Sequence, residues 1–132
     1  MSGPDAGERF DRYQARCLYD PESGFYASGG RAGRRGGDFI TSPEVGPLFG
    51  EVVARAVRGW WEDAGRPDRW VVAEVGAGRG ALAASILRAE ASVGIPLTYV
   101  CVEGSAVLRS TAADLLLVPP QPRSVVRDVT PA

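Results

Sequence analysis

The chain has 132 residues and a formal net charge of −1, and its hydrophobic (45%) and charged (23%) fractions are those of an ordinary folded domain. Histidine and lysine are absent, which excludes a histidine-dependent triad, the usual Cys/His zinc site and a Schiff-base lysine; no metal is predicted. The near-zero charge argues against a nucleic-acid partner, and no apolar run approaches the roughly 18–20 residues of a membrane span. Because no basic region followed by an apolar stretch opens the sequence, we expect a cytoplasmic location.

The first part of the chain combines a helical pattern with a glycine-rich segment. Phe10, Tyr13 and Cys17 recur at helical spacing, which predicts a short helix over residues 5–17. Residues 24–37 then contain six glycines and three arginines. This composition predicts a mobile surface loop or, alternatively, a lid whose arginines face an anionic group.

A long helix is predicted next. Apolar side chains recur every three or four residues over 49–64, and Gly65-Arg66-Pro67 ends the pattern. Trp60 and Trp61 belong to this stripe, and we expect both to lie in the core rather than to form a ligand platform. Thr41-Ser42-Pro43-Glu44, shortly before it, is typical of a helix start.

The second half of the chain alternates strands with helices. Strands are predicted at 70–75, 97–102 and 124–126, and helices at 81–91 and 106–117. This order indicates an α/β fold with a parallel sheet of about three strands. We therefore divide the chain into an N-terminal helical and glycine-rich region, residues 1–66, and an α/β region, residues 67–132.

A glycine-rich turn joins the first predicted strand to the helix after it. Gly76, Ala77, Gly78 and Gly80 lie where the backbone must turn sharply and where a ligand can approach without meeting a Cβ atom. The helix that follows offers free N–H donors at its N-terminus. Glu103 ends the next strand, where its carboxylate can accept hydrogen bonds from the two hydroxyls of a ribose.

Two ligand classes fit this turn: dinucleotides, through G-x-G-x-x-A, and S-adenosylmethionine, through G-x-G-x-G. Glu74, two residues before the first glycine, favours the second class. A carboxylate there would repel the pyrophosphate of a dinucleotide, whereas it suits the amino group and sulfonium of S-adenosylmethionine.

Longer stretches resemble one known family. The most specific is Gly37-Asp38-Phe39-Ile40-Thr41-Ser42-Pro43-Glu44. The others are Leu18-Tyr19-Asp20-Pro21, Gly24-Phe25-Tyr26, Leu48-Phe49-Gly50-Glu51, the turn Glu74–Gly80, Leu82, Ile86-Leu87-Arg88, Tyr99-Val100-Cys101-Val102-Glu103, Ser105 and Leu108-Arg109. With them the sequence resembles the MidA-type class I methyltransferases, whose mitochondrial member is a protein-arginine methyltransferase needed for assembly of respiratory complex I.

The resemblance implies a Rossmann-like fold and S-adenosylmethionine-dependent methyl transfer to a protein, with arginine as the acceptor in the mitochondrial member. Gly76, Gly78, Gly80 and Glu103 match positions that line the cofactor site. A segment near the methionine end of the cofactor is matched by Gly37, Thr41, Ser42 and Pro43.

A guanidinium acceptor must lose a proton, so carboxylates near the acceptor would be needed. Asp38 and Glu44 are the candidate catalytic residues, although each also suits a turn or a helix cap.

Members of this family are several times longer, so we expect this chain to supply the N-terminal, cofactor-binding part and not to catalyse alone. The free edge of its first strand would then need a second copy or a C-terminal half beside it. Two other functions stay open at this point: a non-catalytic assembly or interaction module that keeps the fold, and a dinucleotide-binding domain.

Overall fold

A computed structural model of the chain describes residues 7–27, 41–91, 94–116 and 124–127. The elements in chain order are α1 (Phe10–Tyr19), α2 (Ser42–Val45), α3 (Pro47–Asp63), β1 (Trp70–Val75), α4 (Ala81–Glu90), β2 (Leu97–Val102), α5 (Ala106–Leu116) and β3 (Ser124–Arg127). The predicted α/β order is confirmed, and β1 and β2 have the predicted bounds. Residues 28–37 of the glycine-rich segment lie outside the described residues, so its mobility stays a prediction.

Within the described ranges, three strands form one parallel sheet in the order β1-β2-β3. Trp70 pairs with Leu97 and Val75 with Val102, so β1 and β2 are in register along their whole length and end together. The carboxyl ends of both strands therefore open onto the same edge of the sheet, where ligands of such folds bind.

One face of the sheet is covered and the other is not, among the described residues. Leu97, Tyr99 and Cys101 of β2 are buried beneath the helices. On β1 the side chains that point the other way stay in solvent, with Val71 57% and Val75 81% exposed. Right-handed crossovers explain this, because strands added in sequence order carry both α4 and α5 on the same face.

Helix α3 packs on α4, and its rotation differs from the prediction. The buried residues of α3 are Gly50, Ala54 and Val57. Trp60 is 59% exposed, so its predicted place in the core is wrong, whereas Trp61 is partly buried against the core and donates its indole N–H to the Pro67 carbonyl at 2.9 Å.

Close approach of the two helices decides this rotation. A Cβ atom on Gly50 would overlap the side chain of Ser85 on α4. The helices therefore meet through small residues, and the bulkier side of the apolar stripe turns away. An ion pair reinforces the contact: Arg58 Nη2 lies 2.8 Å from Oε1 of Glu90, whose side chain is 1% exposed.

Within the described ranges, none of the helices is long and apolar enough to cross a membrane.

The contact at Gly50 can be tested against Gly59, a second glycine of the same helix whose Cβ position is open. Gly59→Ala should raise the free energy of unfolding by about 0.5–1 kcal/mol, because alanine is the better helix former. Gly50→Ala should lower it by about 1–3 kcal/mol relative to Gly59→Ala, through overpacking against Ser85. Urea denaturation measures both changes. Equal shifts in the two variants would contradict the packing described here.

Candidate functional site

The turn between β1 and α4 is shaped by three glycines. Gly76, Gly78 and Gly80 have φ angles of +75°, +57° and +79°, a region that residues with a side chain rarely adopt. The N–H groups of Gly76 and Ala77 both donate to the carbonyl of Val102, at 2.8 and 3.2 Å. The turn is therefore fastened to the end of β2 by its own backbone.

Glu103 links this turn to the loop that follows β2. Its Oε2 accepts a hydrogen bond from the N–H of Gly78 and its Oε1 accepts one from the N–H of Ser105, both at 2.8 Å. The residue is 5% exposed. Each carboxylate oxygen has a second acceptor position, so Glu103 can still accept hydrogen bonds from a ligand. Arg109 steadies the same loop by donating to the carbonyls of Glu103 and Gly104, at 2.8 and 2.7 Å.

Glu74, the second acid of the site, has one hydrogen-bond partner among the described residues. The Tyr99 hydroxyl donates to its Oε2 at 3.0 Å. Burial raises the pKa of Glu74 above its ordinary value, and the hydrogen bond from Tyr99 opposes this shift less strongly. Burial, and then the charge of Glu74, raise the pKa of the neighbouring Cys101 thiol to about 11. The carboxylate thus lies in a poorly solvated position where a positively charged group would stabilise it.

A cavity of about 320 Å³ lies at this edge of the sheet, within the range of small-molecule sites. Its lining residues are Tyr19, Tyr26, Thr41, Pro43, Glu74, Gly76, Ala77, Gly78, Arg79, Ala81, Leu82, Glu103 and Leu108. Among the described residues, the charged lining groups are two carboxylates and one guanidinium, a balance that favours a cationic ligand.

Most of the residues predicted to bind a cofactor meet in this cavity. The predicted residues that line it are Thr41, Pro43, Glu74, Gly76, Ala77, Gly78 and Glu103. Ser42 and Gly80 do not. Gly80 is buried at the start of α4, and a Cβ there would come within 3.2 Å of the Ala112 Cβ, so its small size allows α4 and α5 to approach.

The remaining predicted residues cannot be placed in the cavity. Gly37 and Asp38 lie outside the described residues, and only the backbone of Glu44 is described. The candidate base for methyl transfer therefore stays a prediction from the sequence.

Of the six other lining residues, Ala81 ends the G-x-G-x-x-A pattern. The sequence alone did not single out the remaining five as site residues: Tyr19, Tyr26, Arg79, Leu82 and Leu108. Leu82 and Leu108 carry the ordinary helical pattern of a core residue. All five occur in stretches that resemble the family, which was the available signal. Within the described part of the chain, no group of three or more His, Cys, Asp or Glu residues could hold a metal ion.

Comparison with known proteins gives consistent matches. A family described as "Putative S-adenosyl-L-methionine-dependent methyltransferase" matches residues 52–126. The Drosophila melanogaster protein arginine methyltransferase NDUFAF7 homolog, mitochondrial, is 40% identical over 76 residues, 58% of this chain. The human protein arginine methyltransferase NDUFAF7, mitochondrial, is 35% identical over 82 residues, 62% of this chain.

Among solved structures, a COG1565 superfamily member from Burkholderia thailandensis, bound to S-adenosyl-homocysteine, is 37% identical with a TM-score of 0.76. The match covers 94% of this chain and 33% of that protein. The chain spans only 17% of the Drosophila relative and 18% of the human one.

The cytoplasmic location predicted from the sequence is contradicted by these comparisons. The curated relatives from Drosophila, zebrafish and human are all named as mitochondrial proteins. The prediction was based only on the absence of a basic region followed by an apolar stretch in the first residues, and this absence does not distinguish the cytoplasm from mitochondria.

The raised pKa of Glu74 predicts a pH dependence of stability. The folded state keeps the Glu74 proton to a higher pH than the unfolded chain, whose carboxyl has an ordinary pKa of 4.5. Raising the pH from about 4.5 through the folded-state pKa therefore removes stability. Glu74→Gln has no such proton, but its side-chain oxygen can still accept from Tyr99. The free energy of unfolding of Glu74→Gln relative to the unmodified protein should therefore increase from about pH 4.5 up to the folded-state pKa and then stay constant.

Urea denaturation of both proteins at a series of pH values measures this difference, and the other titrating groups cancel in it. A difference that does not change with pH would show that Glu74 titrates alike in the folded and unfolded states.

Proposed function

The chain belongs to the family of S-adenosyl-L-methionine-dependent methyltransferases, and from this premise we propose that it binds S-adenosylmethionine in the cavity at the ends of β1 and β2. The observation that carries the proposal is the hydrogen bond from Gly78 N–H to Glu103 Oε2, at 2.8 Å. It brings the glycine turn and the acid at the end of β2 into one site, although they are 25 residues apart.

The residues of the cavity fit this cofactor. Gly76 and Gly78 line the cavity, and a Cβ atom placed on either would meet no protein atom within 4 Å, so the turn leaves room for a ligand close to its backbone. Glu103 retains acceptor positions for two ribose hydroxyls. Glu74 provides a poorly solvated carboxylate for the amino group or the sulfonium.

When bound, S-adenosylmethionine supplies a methyl group on a sulfonium, which a nucleophile removes by in-line displacement to leave S-adenosylhomocysteine. The chain's own residues would hold and orient the cofactor. Glu103 would hold the ribose, the glycine turn would permit close approach of the backbone to the cofactor, and the negative lining would attract positive charge. Catalysis of this kind depends chiefly on positioning and electrostatics.

For the acceptor we propose an arginine side chain of a protein. The curated relatives are named as protein arginine methyltransferases. A cavity whose described lining carries two carboxylates and one guanidinium also suits a cationic acceptor. Transfer requires the guanidinium to give up a proton, and Asp38 and Glu44 are the proposed acceptors of that proton.

We further propose that turnover needs more protein than the residues described here. On β1, Val71 and Val75 are exposed, and its only strand partner among the described residues is β2. The solved relative is about three times as long as the part matched. Either a second copy or further chain would cover this edge and face.

Titration calorimetry with S-adenosylhomocysteine tests the binding site. Gly78→Val should abolish binding, because the side chain would occupy the cavity. Gly65→Val is the matched control: Gly65 also has a positive φ, +82°, and an open Cβ position, but it does not line the cavity. Both variants carry a similar backbone penalty of about 1–2 kcal/mol, so a loss of binding in Gly78→Val alone identifies the ligand's position.

Glu103→Gln should weaken binding of S-adenosylhomocysteine by about 1.5–3 kcal/mol, the scale of a hydrogen bond to a charged group. The same calorimetric titration measures the loss. NAD serves as the competing ligand, since a dinucleotide would also use the glycine turn. Binding of NAD without S-adenosylhomocysteine would reject the proposed function.

A further inference from the structure

We propose that Tyr19 and Tyr26 form an aromatic wall of the cavity and stack against the purine base of the bound nucleoside. This inference rests on the proposed function and adds to it the residues that would recognise the base. Among the described residues, these two supply all the aromatic side chains of the cavity lining.

The segment that carries the two tyrosines contributes little to the core. Helix α1 has no buried residue, and the Tyr19 side chain at its end is 48% exposed. Helix α1 is nevertheless followed by a tightly constrained turn. Asp20 Oδ1 accepts hydrogen bonds from the N–H of Glu22, and from both the N–H and the hydroxyl of Ser23, at 2.8–3.0 Å.

This turn folds the chain back onto α1. The N–H of Phe25 donates to the carbonyl of Cys17 and that of Tyr26 donates to the carbonyl of Leu18, both at 2.9 Å. A Cβ on Gly24 would lie 2.5 Å from the backbone nitrogen of Asp20, so the turn is closed as far as a glycine allows. The folded-back backbone holds Tyr26 beside Tyr19, with their ring centroids 5.6 Å apart.

Two contacts attach this aromatic wall to the loop after Glu103. The Ser105 hydroxyl donates to the carbonyl of Tyr26 at 2.9 Å. The Tyr19 ring lies against Gly104, where a Cβ would be 3.3 Å from Cε1. Burial and the charge of Glu103 both raise the pKa of the Tyr19 phenol, which agrees with a ring close to that carboxylate.

The position of the Tyr19 and Tyr26 rings close to Glu103 indicates that the base is the part of the cofactor that they contact. A ribose whose hydroxyls are held by Glu103 carries its base a few bonds away, and therefore on the Glu103 side of the cavity. Glu74, the acid proposed to meet the charged end of the cofactor, lies on the neighbouring strand. Aromatic side chains stack readily on any base, because every base has a flat π-face.

Calorimetry with two ligands, S-adenosylhomocysteine and 5′-methylthioadenosine, tests this proposal on the full 132-residue chain. The second ligand keeps the nucleoside but lacks the amino-acid end. Tyr19→Leu and Tyr26→Leu should each weaken both ligands by the same factor, at least about fivefold. Tyr19→Phe and Tyr26→Phe, which keep the ring, should stay within about threefold of the unmodified chain.

Two variants calibrate the measurement. Tyr13→Leu removes a half-exposed ring of α1 that does not line the cavity, and it should leave both affinities unchanged. Glu74→Gln should weaken S-adenosylhomocysteine but not 5′-methylthioadenosine, because its proposed partner is the charged end of the cofactor. Saturation-transfer NMR on the unmodified chain, from tyrosine ring protons to the adenine H2 and H8, gives a reading that does not depend on whether any variant folds.

Leucine variants that bind 5′-methylthioadenosine as tightly as the unmodified chain would overturn this inference and leave the proposed function standing. Absence of saturation transfer from tyrosine to adenine would do the same. If the unmodified chain binds neither ligand, the proposed function fails and this inference fails with it.

Discussion

In-register parallel pairing of β1 with β2 is the constraint on which the site depends. Because the two strands end together, at Val75 and Val102, the glycine turn and Glu103 emerge side by side. The Val102 carbonyl continues the pairing into the turn by accepting two N–H groups, and Glu103 then holds Gly78. A shift of the register by one residue would separate these groups and reverse which side chains face the helices.

The same arrangement places two acids with different surroundings at the strand ends. Glu103 is almost fully buried, and backbone N–H groups hydrogen-bond both of its oxygens. Among the described residues, Glu74 has one hydrogen-bond donor, the Tyr99 hydroxyl, and burial raises its pKa more than this hydrogen bond lowers it. The fold therefore presents one acid that is already organised and one whose charged form a cation would stabilise.

The sequence predicts the sheet well, because each strand is a short apolar run bounded by glycines or turns. It does not predict the rotation of α3, because helical periodicity defines an apolar stripe but not which part of the stripe is buried. The contact of Gly50 with Ser85 decides this, and Trp60 lies outside the buried part. Tyr19 and Tyr26 reach the cavity through a folded-back turn, which local patterns cannot place relative to a distant strand. The glycine turn and Glu103 were predictable because strand ends of a parallel sheet share one edge.

Strand order has a consequence for local unfolding. Among the described residues, β3 pairs with β2 alone, over four residues. Opening of β3 would leave the β1–β2 ladder, the turn and Glu103 joined, so exchange of its amides can follow a low-energy, sub-global route. Amides of β1 and β2 exchange only when the site itself comes apart. Ligand binding should thus slow exchange selectively, in the two strands that carry the site and not in β3.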